Sequence, residues 1–279
     1  MSTFSKKLKK LTLSAFLMLV LGAKLSSTVY NYQPSFELNP LYDGIELGLG
    51  AVTAGSAFIF DKFFPFKSST LDPKVLDKEK IPDMDLFFAG PYNKTLHYIG
   101  TGTAFLALFT PAMFAILPDT EWLTIGVMYA ETLLFAYGIK EWIKLGVFRA
   151  RPYMYFDGYP KDKVEDGDWN CSFPSGHTTY AFAGAAFTTL LFCQYFPESK
   201  WKYAVAGTSF GIAAITGALR MASGNHFYTD VLCGAVIGTA CGLIIPTLHT
   251  KTYYEKHLGR NKSARVSVMP DGLNVSFAL

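Results

Sequence analysis

The sequence predicts an all-α fold: a polytopic membrane helical bundle with six core transmembrane helices, preceded by an N-terminal signal peptide or anchor. Three observations carry this. Tyr98–Leu117, Thr178–Phe196, Tyr203–Leu219 and Val231–Leu248 contain no Asp, Glu, Lys or Arg. Each is about as long as a bilayer-crossing helix requires, roughly 17–25 residues. Two further runs are nearly as apolar: Leu41–Phe60, which carries Asp43 and Glu46, and Trp122–Ile139, which carries Glu131. Half of the 279 residues are apolar, and these runs lack the polar stripe of a soluble core helix.

In chain order, residues 1–30 set Lys6, Lys7, Lys9 and Lys10 before LTLSAFLMLVLGAKLSS. That is the pattern of a signal peptide cleaved near Gly22–Ala23 or Ser26–Ser27, or of an uncleaved signal anchor. The bundle domain follows over 31–250, after a short linker at 31–40. In its first span Gly44 and Gly48 permit close helix contact. Phe60–Asn93 is a long loop holding Pro65, Pro73, Pro82 and Pro91, with amphipathic pieces suited to the membrane surface. A tight Pro118–Asp119–Thr120 turn makes the next two spans antiparallel neighbours. Gly146–Pro174 is a second long loop, rich in aromatic and acidic residues; long loops in compact bundles are often functional. Gly207 and Gly211 mark one later span, and Gly234, Gly238 and Gly242 another, as small-residue packing faces. Residues 251–279 form a basic polar tail, in which VSVMPDGLNVSF alternates around Pro270–Asp271–Gly272 as a small hairpin would.

A net charge of +3 is small, and no basic, aromatic-interleaved stripe points to nucleic acid. Of the four cysteines, Cys193, Cys233 and Cys241 sit inside apolar spans and Cys171 in a loop. That is no metal pattern, and it supports no disulfide assignment.

Three polar groups recur at the ends of the last four spans. Lys144 and Arg151 are seven residues apart, nearly two helical turns, and Pro152 then stops the helix. Ser175, Gly176 and His177 open the next helix, where a hydroxyl and free N–H groups form an anion-binding geometry. Arg220, His226 and Asp230 lie between the last two spans. On a helix, the four-residue spacing of His226 and Asp230 puts both on one face. A carboxylate on one imidazole nitrogen leaves the other free as nucleophile, base or ligand. Singly, each group has a plainer reading: cations at a helix C-terminus, a Ser N-cap, a capping His. Counting crossings brings all three to one end of the bundle. Glu131 reads either as a proton relay or headgroup contact, or as a carboxyl bonded to a Thr or Tyr on a neighbouring helix. His97, His249 and His257 receive no role.

Lys144-x6-Arg151-Pro152, Pro174-Ser175-Gly176-His177 and Arg220-x5-His226-x3-Asp230 resemble the three signatures of the type 2 phosphatidic acid phosphatase (PAP2) family. That superfamily also contains bacterial acid phosphatases and vanadium haloperoxidases. The resemblance covers roughly residues 95–250 and departs at Leu219, where the family usually has Ser. It implies a membrane-embedded, metal-independent lipid phosphate phosphatase with no cofactor. His226 would attack phosphorus to give a phosphohistidine. Asp230 would orient it, and His177 would protonate the leaving oxygen. Lys144, Arg151, Arg220, Ser175 and Gly176 would hold the phosphate. The substrate would be a phosphorylated lipid in the bilayer, with the choice among lipid classes and the oligomeric state left open. Three competing expectations remain. One is an inactive lipid-phosphate binding or transport protein. A second is a haloperoxidase using vanadate. The third is a zinc site from His177, His226 and Asp230, which the nearby cations would repel. The resemblance places the protein in a bacterial inner membrane with its site facing the periplasm or exterior. The basic tail agrees, whereas six spans after a cleaved signal peptide would put the site inside.

Overall fold

The computed structural model describes residues 33–63, 76–257, 264–269 and 272–277; the expected signal segment at 1–30 lies outside them. Nine helices occur among the described residues: α1 (Pro40–Phe63), α2 (Asp83–Leu86), α3 (Lys94–Leu108), α4 (Trp122–Gly146), α5 (Lys161–Glu165), α6 (Gly176–Tyr195), α7 (Trp201–Ala222), α8 (Tyr228–Leu248) and α9 (Lys251–His257). The strands β1 (Ala264–Met269) and β2 (Gly272–Phe277) pair antiparallel in the tail. The protein is an integral membrane helical bundle. Five segments are long and apolar enough to cross a membrane: Pro40–Phe63, Lys94–Ile116, Asp119–Gly146, Trp201–Ala222 and Tyr228–Leu248. The sixth expected span, α6, is not among them. Its threonines lower its hydropathy, and they do so without penalty because it is the central helix, packed by α3, α4, α7 and α8.

Local chemistry sets the helix ends. Asn93 caps α3, its Oδ1 accepting from Leu96 N at 3.1 Å. The expected Tyr98–Leu117 span is one helix only to Leu108, then tightens into a 3-10 turn over Thr110–Ile116. Pro111 has no N–H for the Ala107 carbonyl. The Thr110 hydroxyl takes that carbonyl instead, at 2.8 Å.

The glycine faces behave unequally. Gly234, Gly238 and Gly242 press α8 onto α6: a Cβ on Gly238 would stand 2.1 Å from the Thr179 carbonyl oxygen, and one on Gly242 2.5 Å from Ala183 O. Gly207, Gly211, Gly44 and Gly48 do not make the expected contacts, since no described atom lies within 4 Å of an added Cβ at any of them. α1 packs on α4 through Gly50 and Gly138 instead, against Leu134 and Thr53 respectively. The two helices run in the same direction, and Trp142 Nε1 donates to Thr53 O at 3.2 Å. The outward side of α1 keeps Leu41, Ile45, Leu49 and Val52 exposed, as a lipid-facing helix should.

At one end of the bundle the chain closes on itself. Glu37 N donates to His249 O at 3.0 Å, Lys251 N to Ser35 O at 3.0 Å, and Gln33 N to Tyr195 O at 3.1 Å. Phe114, Phe187, Leu191 and Tyr195 pack beneath this strap. The opposite end carries the loops after α1, α4 and α7.

Gly238→Ala is expected to lower stability by about 1–3 kcal/mol through overpacking, while Gly207→Ala leaves it within about 0.5 kcal/mol. Thermal unfolding of the two variants in detergent checks the contrast.

Candidate active site

The loop end of the bundle encloses a cavity of about 440 Å3. Lys140 and Lys144 reach it from α4, Gly176, His177 and Tyr180 from α6, and Arg220 from the last turn of α7. Arg151 and Asp168 enter from the loop after α4, and His226 from the turn before α8. Of the eight residues singled out from sequence, six line this cavity: Lys144, Arg151, Gly176, His177, Arg220 and His226. Ser175 and Asp230 stand behind it.

His226 is held differently from the sequence expectation. α8 begins at Tyr228, so His226 and Asp230 do not share a helical face. The His226 Nδ1–H donates to the Ser172 carbonyl at 2.7 Å, and the Asp230 carboxylate lies 3.7 Å away. Asp230 instead caps α8, accepting from Phe227 N at 2.8 Å. It also accepts from the Ser172 hydroxyl at 2.5 Å. The carboxylate therefore positions the histidine through Ser172: it grips the side chain of the residue whose carbonyl fixes the tautomer. Nε2 is left as a lone pair on the cavity side, 3.1 Å from Arg151 NH1.

The cations are held by the loops. Arg151 donates to Asp168 Oδ1 at 2.7 Å, to Asp168 O at 2.8 Å and to Asn225 O at 2.9 Å. Tyr153 N bonds Gly224 O at 3.0 Å, locking this loop to the α7–α8 turn. Gly224 makes that turn at φ +70, and an added Cβ would sit 2.6 Å from Gly90 O and Pro91 O. Arg220 is almost wholly buried, and its Nε has no hydrogen-bond partner among the described residues. A buried, unused guanidinium donor facing a cavity is a seat for an anion. Ser175 departs from expectation: its hydroxyl pairs with Thr178 Oγ1 at 2.9 Å and is fully buried, so the backbone of Gly176 faces the cavity without it.

Several site residues escaped the sequence reading. Lys140, one turn before Lys144, is buried, pairs with Glu141 and lies 4.7 Å over the Tyr137 ring. A lysine inside an apolar run is the signal that could have found it. His97 lines the cavity with Nδ1 3.2 Å from Arg220 NH1. Arg149 bridges Asp230 Oδ1 at 2.6 Å and Asp85 Oδ2 at 2.5 Å. Asp85 in turn accepts from Thr229 N at 2.9 Å. No spacing rule links residues 85, 149 and 230, so sequence alone had no means of pairing them.

A model of the PAP2 superfamily matches residues 125–254, a stretch that contains all three motifs. The chain is similar to the lipid A 1-phosphatase of Porphyromonas gingivalis, 44% identical over 77 residues, covering 28% of this chain and 16% of that one. It is 29% identical over 135 residues to lipid phosphate phosphatase 1 of Arabidopsis thaliana, covering 41% of each. Among solved structures it resembles a PAP2 type phosphatidylglycerolphosphate phosphatase from Bacillus subtilis, with a TM-score of 0.43 and 22% identity over 74% of this chain and 98% of that one. The chain spans less than half the length of the curated relatives it matches.

Two titrations follow from the geometry. Burial, with the charges of Arg151 and Arg220, pushes the His226 imidazole well below its ordinary 6.5. The unfolded chain then takes the proton first, so stability from this group is full above about pH 6.5 and falls as pH drops below it. Burial raises the Asp168 carboxyl, but Arg151 outweighs it and holds the group at about 2. That contribution is full above the ordinary 3.8 and is lost as pH falls toward 2. Melting temperatures measured from pH 8 to 5 should decline, and His226→Asn should flatten the decline.

Proposed function

We propose that this protein is a membrane phosphatase that removes a phosphomonoester or diphosphate group from a lipid through a phosphohistidine intermediate. The observation that carries this reading is the shape of the cavity. Its charged end, at Lys144, Arg151, Arg220 and His226, continues into an apolar wall of Ala104, Phe105 and Leu108 on α3. Phe105 and Leu108 of α3 and Lys140 and Lys144 of α4 line it from two helices, and we read the space between these helices as the route by which a lipid chain reaches it. A headgroup would sit among the cations while its chain stays against apolar surface.

The chemistry uses residues already in place. The Nε2 lone pair of His226 attacks phosphorus, and the phosphorus–oxygen ester bond breaks. The leaving alkoxide takes a proton from His177. Water then attacks the phosphohistidine, passing its proton back to His177 and releasing phosphate from Nε2. Phosphoryl transfer needs chiefly positioning and charge stabilisation. Lys140, Lys144, Arg151 and Arg220 supply fixed positive charge around the oxygens, and the Gly176 backbone at the α6 N-terminus adds to it. Arg151 NH1 must leave Nε2 for a phosphate oxygen as the bond forms. Splitting the reaction at a covalent intermediate replaces one hard displacement with two easier ones.

Purified protein should release phosphate from short-chain phosphatidic acid in the presence of EDTA, with inhibition by vanadate. His226→Ala should cost about 10^3-fold or more in kcat, and Lys140→Ala about 10^2-fold in kcat/KM. A His226→Ala protein that kept the full rate would overturn the mechanism.

We further propose that the cavity faces the periplasm or exterior of a bacterial inner membrane. Residues 33–39 and 249–257 meet at the bundle end opposite the cavity. The tail beyond them carries Lys251, Lys256, Arg260, Lys262 and Arg265, and such charge favours the cytoplasmic side. A reporter fused after Leu279 should read as cytoplasmic, and one inserted after Asp168 as external.

A further inference from the structure

A second cluster of ionisable groups lies at the strapped end of the bundle, away from the cavity. Glu131 of α4 stands 13 residues before Lys144, about 20 Å along the helix axis. Glu131 is fully buried, Asp43 in the first turn of α1 is buried, and His249 at the end of α8 is 1% exposed. Sequence reasoning offered Glu131 a relay, a headgroup, or a Thr or Tyr partner. It bonds no Thr or Tyr among the described residues, and lies 3.1 Å from His249 Nε2 instead. The same nitrogen is 3.2 Å from Asp43 Oδ1 and 3.9 Å from Glu46 Oε2.

The imidazole is oriented for this. The His249 backbone N–H turns to the Pro246 carbonyl, freeing Ile245 O, and Nδ1 donates to that carbonyl at 2.9 Å. A carbonyl only accepts, so Nδ1 carries a proton there and Nε2 is the ring atom turned toward the carboxylates. A ring nitrogen bonded to a backbone carbonyl, with the other turned inward, is the usual second-sphere support of a metal-binding histidine. Meanwhile both Glu131 oxygens, Asp43 Oδ1, Glu46 Oε2 and His249 Nε2 lack hydrogen-bond partners among the described residues. Three carboxylates thus converge on a single imidazole nitrogen, an excess of buried negative charge that a divalent cation would offset.

We propose that Asp43, Glu131 and His249, with Glu46 at the rim, bind a divalent metal ion of the Zn2+ or Mn2+ class. The donor atoms of the first three lie within 4.8 Å of one another. The two shorter separations, 3.1 and 3.2 Å, approach the roughly 3.3 Å edge of a tetrahedral site with bonds of about 2.0 Å. One imidazole with carboxylates suits Zn2+ and Mn2+. The ion neutralises the buried carboxylates and ties α1, α4 and α8 together. Because α1 otherwise packs chiefly on α4, the site is a staple for the outermost helix and is separate from phosphate release.

The test uses full-length protein in detergent, with any affinity tag removed, dialysed against chelator and titrated with ZnCl2. Wild type should bind one Zn2+ per chain by calorimetry and elemental analysis, and its melting temperature should rise on binding. Glu131→Gln and His249→Gln should each weaken binding at least tenfold, while phosphate release per folded molecule stays unchanged. Should either variant fail to fold, Glu46→Gln, at the half-exposed rim, is expected to weaken binding about tenfold. Wild-type protein that binds no stoichiometric Zn2+, or variants that bind it equally well, would overturn the proposal. So would loss of phosphate release in step with metal removal, which would put the ion in the catalytic cavity.

Discussion

Concentrating like charge at one end of an apolar bundle is the constraint the rest of this structure answers. Lys140, Lys144, Arg151 and Arg220 all line one cavity, where their mutual repulsion is poorly screened. The protein sets carboxylates against them. Asp168 grips Arg151, and Glu141 pairs with Lys140 and lies 3.9 Å from Lys144 Nζ. Arg149, just outside the cavity, is spent on Asp85 and Asp230. Arg220 alone has no carboxylate within ion-pair distance among the described residues, and its buried Nε stays unused. For the proposed phosphoryl substrate, these donors would be held in place before it arrives, and little reorganisation would remain to be done.

The path from Asp230 to His226 shows how a spacing can bring two residues near each other and still mislead about how they are joined. The four-residue spacing suggested direct contact on a helix. The helix starts two residues after the histidine, so the carboxylate turns inward to cap it and to hold Ser172. The histidine then leans on a main-chain carbonyl. A carbonyl cannot take up the proton of Nδ1, so the tautomer is set by the main chain while the Asp230 carboxylate stays 3.7 Å from the ring.

The long apolar runs and the six cavity residues were legible because they depend on local pattern: runs free of charge, and residues at helix ends separated by whole crossings. Legibility ended where contacts join distant parts of the chain. Gly207 and Gly211 have the same spacing as Gly234 and Gly238, yet only the second pair meets a helix. The difference lies in which neighbour is present, and spacing does not carry that. Ser175 likewise has the right position, but the hydroxyl of Thr178 three residues on captures its side chain. Lys140 was passed over because a lysine in a span is normally read against lipid, whereas here Glu141 and the Tyr137 and Tyr180 rings shelter it. His249 received no role because its partners Asp43 and Glu131 come from two other helices.

The fold draws its cavity wall from residues as far apart in sequence as His97 and His226, with the loop between α4 and α6 bolted to the turn before α8 through Tyr153 and Gly224. No partial chain can assemble this. A chain that stopped before residue 225 would lack His226 and Asp230, and with them one whole side of the cavity.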